Sequence, residues 1–491
     1  MSNDSLSRTK NPPRTHLERR LTSAQISMIA LSGALGTGLF LGAGSTISFA
    51  GPATVIAYLL AGSLALAVVW ALAELVSAHP IPGGHGAIAA AHLGKLGGYL
   101  TRWNFAITML TAVGAEVTAT ATYFQHWFPN LHLGLGTVLC SAFIITLNLA
   151  TVRLYGFTEY WFSMIKVTAI VVFILLGLSV IFFGWPSDSP ALGIVNLTEV
   201  TTDSGLSGFA PYGFSGILLA ACMAVFSFGG IENVSVSAAE SEHPQRDIPR
   251  AASTMIWRLL IFYVLAITVI VTLQPWTTTV ANSGNADASP FVLVLDEVGI
   301  SGAGHIMNAI LIVAALSAAN GCLYSGSRMI HSLAIDKMAP SFAACTSESG
   351  SPRGAVMLAS CCFFIASALS IWSPNNAFMI LYGCATVGIL FTWVMVMITH
   401  LKFRQDWKAR GLPAPRARLW GAPFTNWAVI CTSVAIFIAL YGCDLLPISF
   451  YAGIPYLLLL VGSYLLLSRV RTLPVPTELP YATDSAEEVQ N

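Results

Sequence analysis

GALGTGLFLGAG at residues 33–44 and FSFGGIEN at residues 226–233 decide how this chain is read. Each lies inside a long apolar stretch and interrupts it, the first with Gly33, Gly36, Gly38, Gly42 and Gly44, the second with Gly229, Gly230 and the acidic Glu232. A helix crossing hydrocarbon has no reason to break unless the freed N–H and C=O groups meet protein, water or a ligand. Each unsatisfied group there costs several kcal/mol, on the order of 2–7. The bland reading of either segment alone is a packing surface, Gly38 and Gly42 having GxxxG spacing. The matched pair favours two broken helices. A Gly-x-Gly-x-x-Gly nucleotide fingerprint is absent, because position 47 is Ile.

The surrounding sequence sets these breaks in a membrane. Hydrophobic residues make up 55% of the 491 residues and charged residues 9%. Apolar stretches long enough to cross about 30 Å of hydrocarbon recur at roughly 24–50, 52–77, 97–127, 134–151, 158–183, 214–239, 251–275, 303–332, 354–372, 377–400, 424–446 and 451–470. Twelve spans segregate the charges. Of the 23 Lys and Arg residues, all but Lys166 lie at chain ends, span ends or connections on one side. They are Arg8, Lys10, Arg14, Arg19 and Arg20 in the N-terminal tail, Lys95, Arg102 and Arg153, Arg246 to Arg258, Arg328 to Arg353, Lys402 to Arg418, and Arg469 and Arg471. The opposite connections carry Asp188, Glu199, Asp203, Asp287, Asp296 and Glu297 with no Lys or Arg. Both termini are therefore expected in the cytoplasm, with tails at 1–20 and 473–491 around a transmembrane domain at 21–472. A zero net charge divided across a membrane gives nucleic-acid binding no support. The charged tail leads into a long first span without a cleavage site, which argues against a removable signal peptide. The nine Cys show no paired spacing for zinc or disulfides and read as packing residues.

The breaks fall in spans 1 and 6. Interrupted segments at corresponding places in two halves point to an inverted-repeat transporter with its site at the midplane. Repeat one would run over about 24–183 and repeat two over about 214–400, with two helices appended at about 424–470. Such a site suits a zwitterion. Amides freed at Gly36-Thr37-Gly38 begin a half-helix and favour a carboxylate, and open carbonyls between Phe226 and Gly229 suit an ammonium. No nucleophile or metal constellation supports an enzyme, no cofactor is implied, and paired breaks favour a saturable site over a pore. A nutrient sensor on the same scaffold is the hardest rival, although tails of about 20 residues leave little room for a signalling domain. The sequence says nothing of oligomeric state.

Charges within the spans are the next candidates. Lys166 lies roughly 12 Å along span 5 at 1.5 Å per residue, where a charge costs about 2.5–3.5 kcal/mol on insertion scales and is usually partnered or functional. The alternative is a lysine that snorkels to the interface. Glu116 in span 3 and Glu232 after the break of span 6 are candidates for proton exchange or side-chain recognition. Glu74, near the basic end of span 2, reads as a structural partner of backbone or Arg groups. His126, His132 and His305 lie near the opposite ends without metal-ligand spacing and read as interfacial.

From about Leu17 to Arg471 the chain also resembles bacterial amino acid permeases of the amino acid–polyamine–organocation superfamily, within it the amino acid transporter group of aromatic, proline, lysine and 4-aminobutyrate permeases. The motifs are GTGLFLG at 36–42, AEL at 73–75 followed by Pro80 and Pro82-Gly83-Gly84, AEVTA at 115–119, YWFSMIKV at 160–167, FSFGGIE at 226–232, AAESEHPQRDIPRA at 238–251 and SRM at 327–329. The resemblance implies an all-α, leucine-transporter-like fold with a 5+5 inverted repeat, and uptake of an amino acid across the inner membrane, in most members coupled to protons. It implies backbone donors at Gly36, Thr37 and Gly38 for the substrate carboxylate and carbonyls of Ala34, Phe226 and Gly229 for its amino group, with Phe226 or Phe228 closing over the site. It further implies that Lys166 lies against the broken first helix, where sodium-dependent relatives hold an ion, and alternates between charged and neutral forms. The chain departs from the usual pattern at Trp70, at Gly84-His85-Gly86, at Gly156-Phe157 and at Asn233, whose amide beside the break adds donors and an acceptor that an aliphatic residue lacks.

Overall fold

The computed structural model describes residues 28, 33–149, 152–184, 193, 195–201, 205–238, 241, 243–281, 289–297, 302–347, 351–412, 415, 417–442 and 447–473. Outside them lie the N-terminal tail with its five basic residues, residues 474–491, most of the first half of span 1, and Asp188, Asp203, Asp287, Glu240, Glu242 and Arg416.

The twelve expected spans are helical among the described residues. Span 1 resumes after its break as Thr37–Phe40 and Gly42–Ala50, and span 2 is Thr54–Ala78. Span 3 lies in Gly84–Gln125, span 4 is Leu133–Leu149 and span 5 Val152–Phe183. Span 6 is Gly213–Ser227 and Asn233–Ser237, span 7 Pro244–Leu273, span 8 Ala303–Ile335, and span 9 Arg353–Ala359 with Cys362–Trp372. Span 10 is Ala377–Ala409, span 11 Phe424–Ala439 and span 12 Pro447–Val470. Eight of the helices formed by described residues are long and apolar enough to cross a membrane by themselves; spans 4, 6 and 11 are shorter apolar helices. Gly94, at φ 78° and ψ −176°, divides the long Gly84–Gln125 helix, so the segment before it turns away from span 3.

The packing follows the repeat. Span 1 lies against span 6, span 2 against span 7, span 3 along span 8 and span 4 against span 9, each with its counterpart in the other half. Such self-pairing is what elements on either side of a pseudo-two-fold axis must do. Span 3 also runs along span 10, which puts both at the centre of the bundle. Span 12 is peripheral, with Leu458 and Leu459 exposed by 67% and 68%. Apolar side chains left facing outward in this way fit hydrocarbon rather than water.

Candidate functional site

The two breaks form where glycine permits what other residues would resist, and they face one another. Gly33 and Ala34 are helical, Leu35 and Gly36 are not, and Gly36 is extended at φ −124°, ψ −159° before the helix restarts at Thr37. In span 6, residues 228–232 form a turn with Gly230 at φ 95°, between the helix ending at Ser227 and the one starting at Asn233. A Cβ on Gly230 would run into the Gly33 carbonyl oxygen, and one on Gly38 would lie 2.7 Å from Ser227 Cα. Glycine at these points is what allows two backbones to touch.

The freed backbone groups find specific partners. The Thr37 N–H donates to both carboxylate oxygens of Glu116, 3.2 Å from each. The Lys166 ammonium donates to Leu35 O at 3.1 Å. The Tyr263 hydroxyl lies 2.6 Å from Ala34 O and 2.8 Å from Ser227 O, so one O–H bridges the broken ends of spans 1 and 6. Glu232 accepts from the Gly230 N–H at 2.9 Å and from the Trp393 indole N–H at 2.5 Å, fastening the turn of span 6 to span 10. Lys166, Glu116 and Glu232 are all buried. This fits the rule that polar groups withdrawn from water are hydrogen-bonded.

A narrow cavity of about 10 Å3 lies between the breaks, with Ala34, Gly36, Gly38 and Glu116 on one side, Phe226, Gly229 and Gly230 on the other, and Met109, Ala112 and Ile389 completing the wall. Most of the expected residues therefore converge. Phe226 is the aromatic that lines the cavity, stacked on Tyr382 at 4.1 Å between ring centroids, and the Tyr382 hydroxyl donates to Met223 O.

Several expectations need correction. Phe228 does not line the cavity; it packs against Tyr263 and Tyr58 at 4.8 and 6.3 Å, because the turn rotates it towards spans 2 and 7. The Ala34 carbonyl is not open, since it accepts from Tyr263 and from the Gly36 N–H at 3.0 Å. Phe226 O likewise accepts from the Gly229 N–H at 2.9 Å. Asn233 sits beside the break against Gly33, not in the cavity wall, fully buried with neither amide atom hydrogen-bonded. His85, another departure from the family pattern, lies 2.7 Å from Ser235 Oγ and ties the segment before span 3 to the second half of span 6.

One further buried acid is not among the candidates that the sequence singles out. Glu159 is buried in span 5 and accepts from Ser317 Oγ at 2.5 Å and Asn320 Nδ2 at 3.0 Å, both in span 8. A signal was present, because residues 159 and 166 are about two turns apart and share a helix face. Glu74 takes the structural partnership expected of it, accepting from Arg404 at 2.9 and 2.8 Å, from the Leu419 N–H at 2.7 Å and pairing with His400 at 3.0 Å. His126 and His305 lie 3.2 Å apart near the opposite helix ends.

A polytopic helical bundle with paired broken helices around a small midplane cavity defines a transporter of the inverted-repeat class. Residues 25–473 match the sequence profile of the amino acid permease family, and the chain belongs to that family. Among its relatives is the aromatic amino acid transport protein AroP of Escherichia coli K12, 33% identical over 446 residues, which cover 91% of this chain and 94% of AroP. Another is the probable threonine/serine transporter YbxG of Bacillus subtilis strain 168, 31% identical over 448 residues with the same coverage.

Proposed function

We propose that the chain imports a neutral α-amino acid across the bacterial cytoplasmic membrane in symport with a proton, by alternating access about the paired breaks, without chemical change to its substrate. The observation that carries this reading is the opposition of Glu116 and Lys166 on the two faces of one helix break, the acid on Thr37 N–H and the base on Leu35 O. Both termini lie in the cytoplasm in this reading, and residues 21–472 form the permease domain.

The substrate carboxylate approaches the amides of Gly36, Thr37 and Gly38. Glu116 already holds one of them, so two carboxylates compete for a single N–H. Their repulsion is relieved when Glu116 accepts a proton or turns away, which links substrate arrival to protonation. The amino group meets carbonyls near Phe226 and Gly229 once Tyr263 or the turn has moved, and Phe226 covers the side chain. Lys166 answers changes at Glu116 through the shared break, changing charge as the first half of span 1 moves. Met109, Ala112 and Ile389 favour an apolar or aromatic side chain, in keeping with the substrate in AroP's name. Glu232 holds the neighbouring turn through the Gly230 N–H and the Trp393 indole, and Asn233 packs beside it against Gly33.

Purified protein in sodium-free proteoliposomes tests the reading. An imposed inward proton gradient should drive accumulation of a labelled neutral amino acid, and Lys166→Ala should abolish it while protein stays in the membrane. Full activity of that variant, or an absolute need for sodium, would refute proton symport.

A further inference from the structure

Glu159 has no part in the mechanism so far, yet it lies at the head of a polar chain that leaves the break on the side where Lys and Arg cluster. Ser317 and Asn320 each occupy one of its oxygens. Asn320 Oδ1 in turn accepts from Asn148 Nδ2 at 2.7 Å, at the end of span 4. Ser351 Oγ reaches Asn148 O at 3.5 Å from the connection just before span 9, close to Arg353. Asn148 is 5% exposed, and its own Oδ1 has no hydrogen-bond partner. It is an acceptor left open next to the basic surface, where a water can complete it.

The helix geometry aims Lys166 at this chain. Span 5 begins on the basic side at Val152, and side chains of a helix lean towards its N-terminus. Glu159 precedes Lys166 by seven residues, about two turns, on the same face of span 5. The titratable groups around Lys166 are Glu159 on its own helix, Glu116 on span 3 and Cys322 on span 8. Glu116 serves the cavity and Cys322 lines it. Of the three, Glu159 alone leads away from the substrate.

We infer that Glu159 is the proton-release group of the transport cycle, receiving the proton of Lys166 and delivering it to cytoplasmic water past Asn320 and Asn148. This rests on the proton-symport reading and deepens it. The steps balance: the Lys166 ammonium gives a proton to the Glu159 carboxylate, leaving a neutral amine and a carboxylic acid. The acid then gives the proton to water at the Asn148 end and is again a carboxylate. No oxidant or further reactant is needed. Ser317 and Asn320 are positioning residues, holding the acid so that it faces both the lysine and the exit.

Release of a proton is required for net uptake but not for exchange of substrate across the membrane, in which the carrier shuttles without deprotonating. Two assays on the same proteoliposomes separate the steps: uptake driven by an imposed proton gradient, and counterflow of labelled substrate into vesicles preloaded with unlabelled substrate. Glu159→Gln should lower gradient-driven uptake at least twentyfold and leave counterflow within about twofold. Asn320→Leu keeps the acid but cuts its link to Asn148, and should give the same split with a smaller loss, about fivefold. If Glu159→Gln retains both activities, Glu159 is only a fixed counter-ion for Lys166. If both variants lose counterflow as well, the chain serves binding or folding; either result overturns the release role. Wild-type uptake indifferent to the proton gradient would instead refute symport itself, so the two failures are distinguishable.

Discussion

Two buried clusters of charge in this molecule use opposite arrangements. At the basic end of the bundle, Glu74 of span 2 is bound by side chains and backbone from the other end of the sequence: Arg404, His400 and Leu419 N–H. Asn426 lies 3.0 Å from His400 Nδ1, and its donated N–H leaves the Nε2 hydrogen to point at Glu74. At the breaks, Lys166 is held by a carbonyl and Glu116 by an amide, both from irregular backbone. A charge locked by a fork of opposite charge and a capped ring is costly to disturb. A charge resting on backbone groups that belong to a broken helix can change partner whenever that helix moves. The first arrangement suits a latch and the second a working part.

The contrast predicts that the largest loss of function comes from the breaks. Gly38→Val puts a Cβ 2.7 Å from Ser227 Cα and 2.9 Å from Ser227 N, and backbone cannot step aside as a flexible side chain can. The spans must separate, the cavity changes shape, and uptake per folded molecule should fall at least a hundredfold. Gly462, with nothing within 4 Å of its Cβ position, is the control, and Gly462→Val should transport normally. Comparable activity in the two variants would mean that contact between the breaks is not needed for transport.

The latch should fail differently. Glu74→Ala leaves Arg404, His400 and the Leu419 N–H without their common acceptor, and breaking a buried pair on one side costs about 3–5 kcal/mol. Glu74→Gln keeps an acceptor oxygen and should lose less, about 1–3 kcal/mol. Thermal unfolding in detergent should show both losses in that order. Uptake per folded molecule should stay within about threefold, and a greater fall in Glu74→Gln without loss of stability would make the latch part of the transport cycle.

What could be read from the sequence divides along the same line. The breaks were legible because glycine spacing is local: the clusters at 33–44 and 229–230 mark them within a few residues. The partners of Glu74 were legible in kind, because a carboxylate at the basic end of a span finds cations there. The state of the carbonyls was not. Ala34 O is taken by a tyrosine 229 residues away, and Thr37 N–H by an acid 79 residues away. Nothing in the local pattern fixes such pairings. Phe226 and Phe228 were equivalent in sequence, and only the turn at Gly230 separates them, one over the cavity and the other against Tyr263. Glu159 carries no local mark, because its partners, Ser317 and Asn320, lie in the opposite half of the repeat.

Glu116→Gln makes the finest test of the contrast between working part and latch. Glutamine keeps the shape of glutamate and one acceptor oxygen, so the Thr37 N–H remains capped and the cavity wall is unchanged. Only the charge and the capacity to exchange a proton are removed. If Glu116 is the acid that yields to the substrate carboxylate, gradient-driven uptake should slow about tenfold, equivalent to about 1.4 kcal/mol, and should lose part of its dependence on pH. Substrate preference should not change, because the carboxylate faces the headgroup amide rather than the side-chain end of the cavity. Competition by a panel of twenty amino acids should thus keep neutral ones strongest in wild type and variant alike. Strong inhibition by lysine or arginine in wild type, lost in Glu116→Gln, would make the acid a counter-ion for a cationic side chain. The proton would then have to be carried without Glu116.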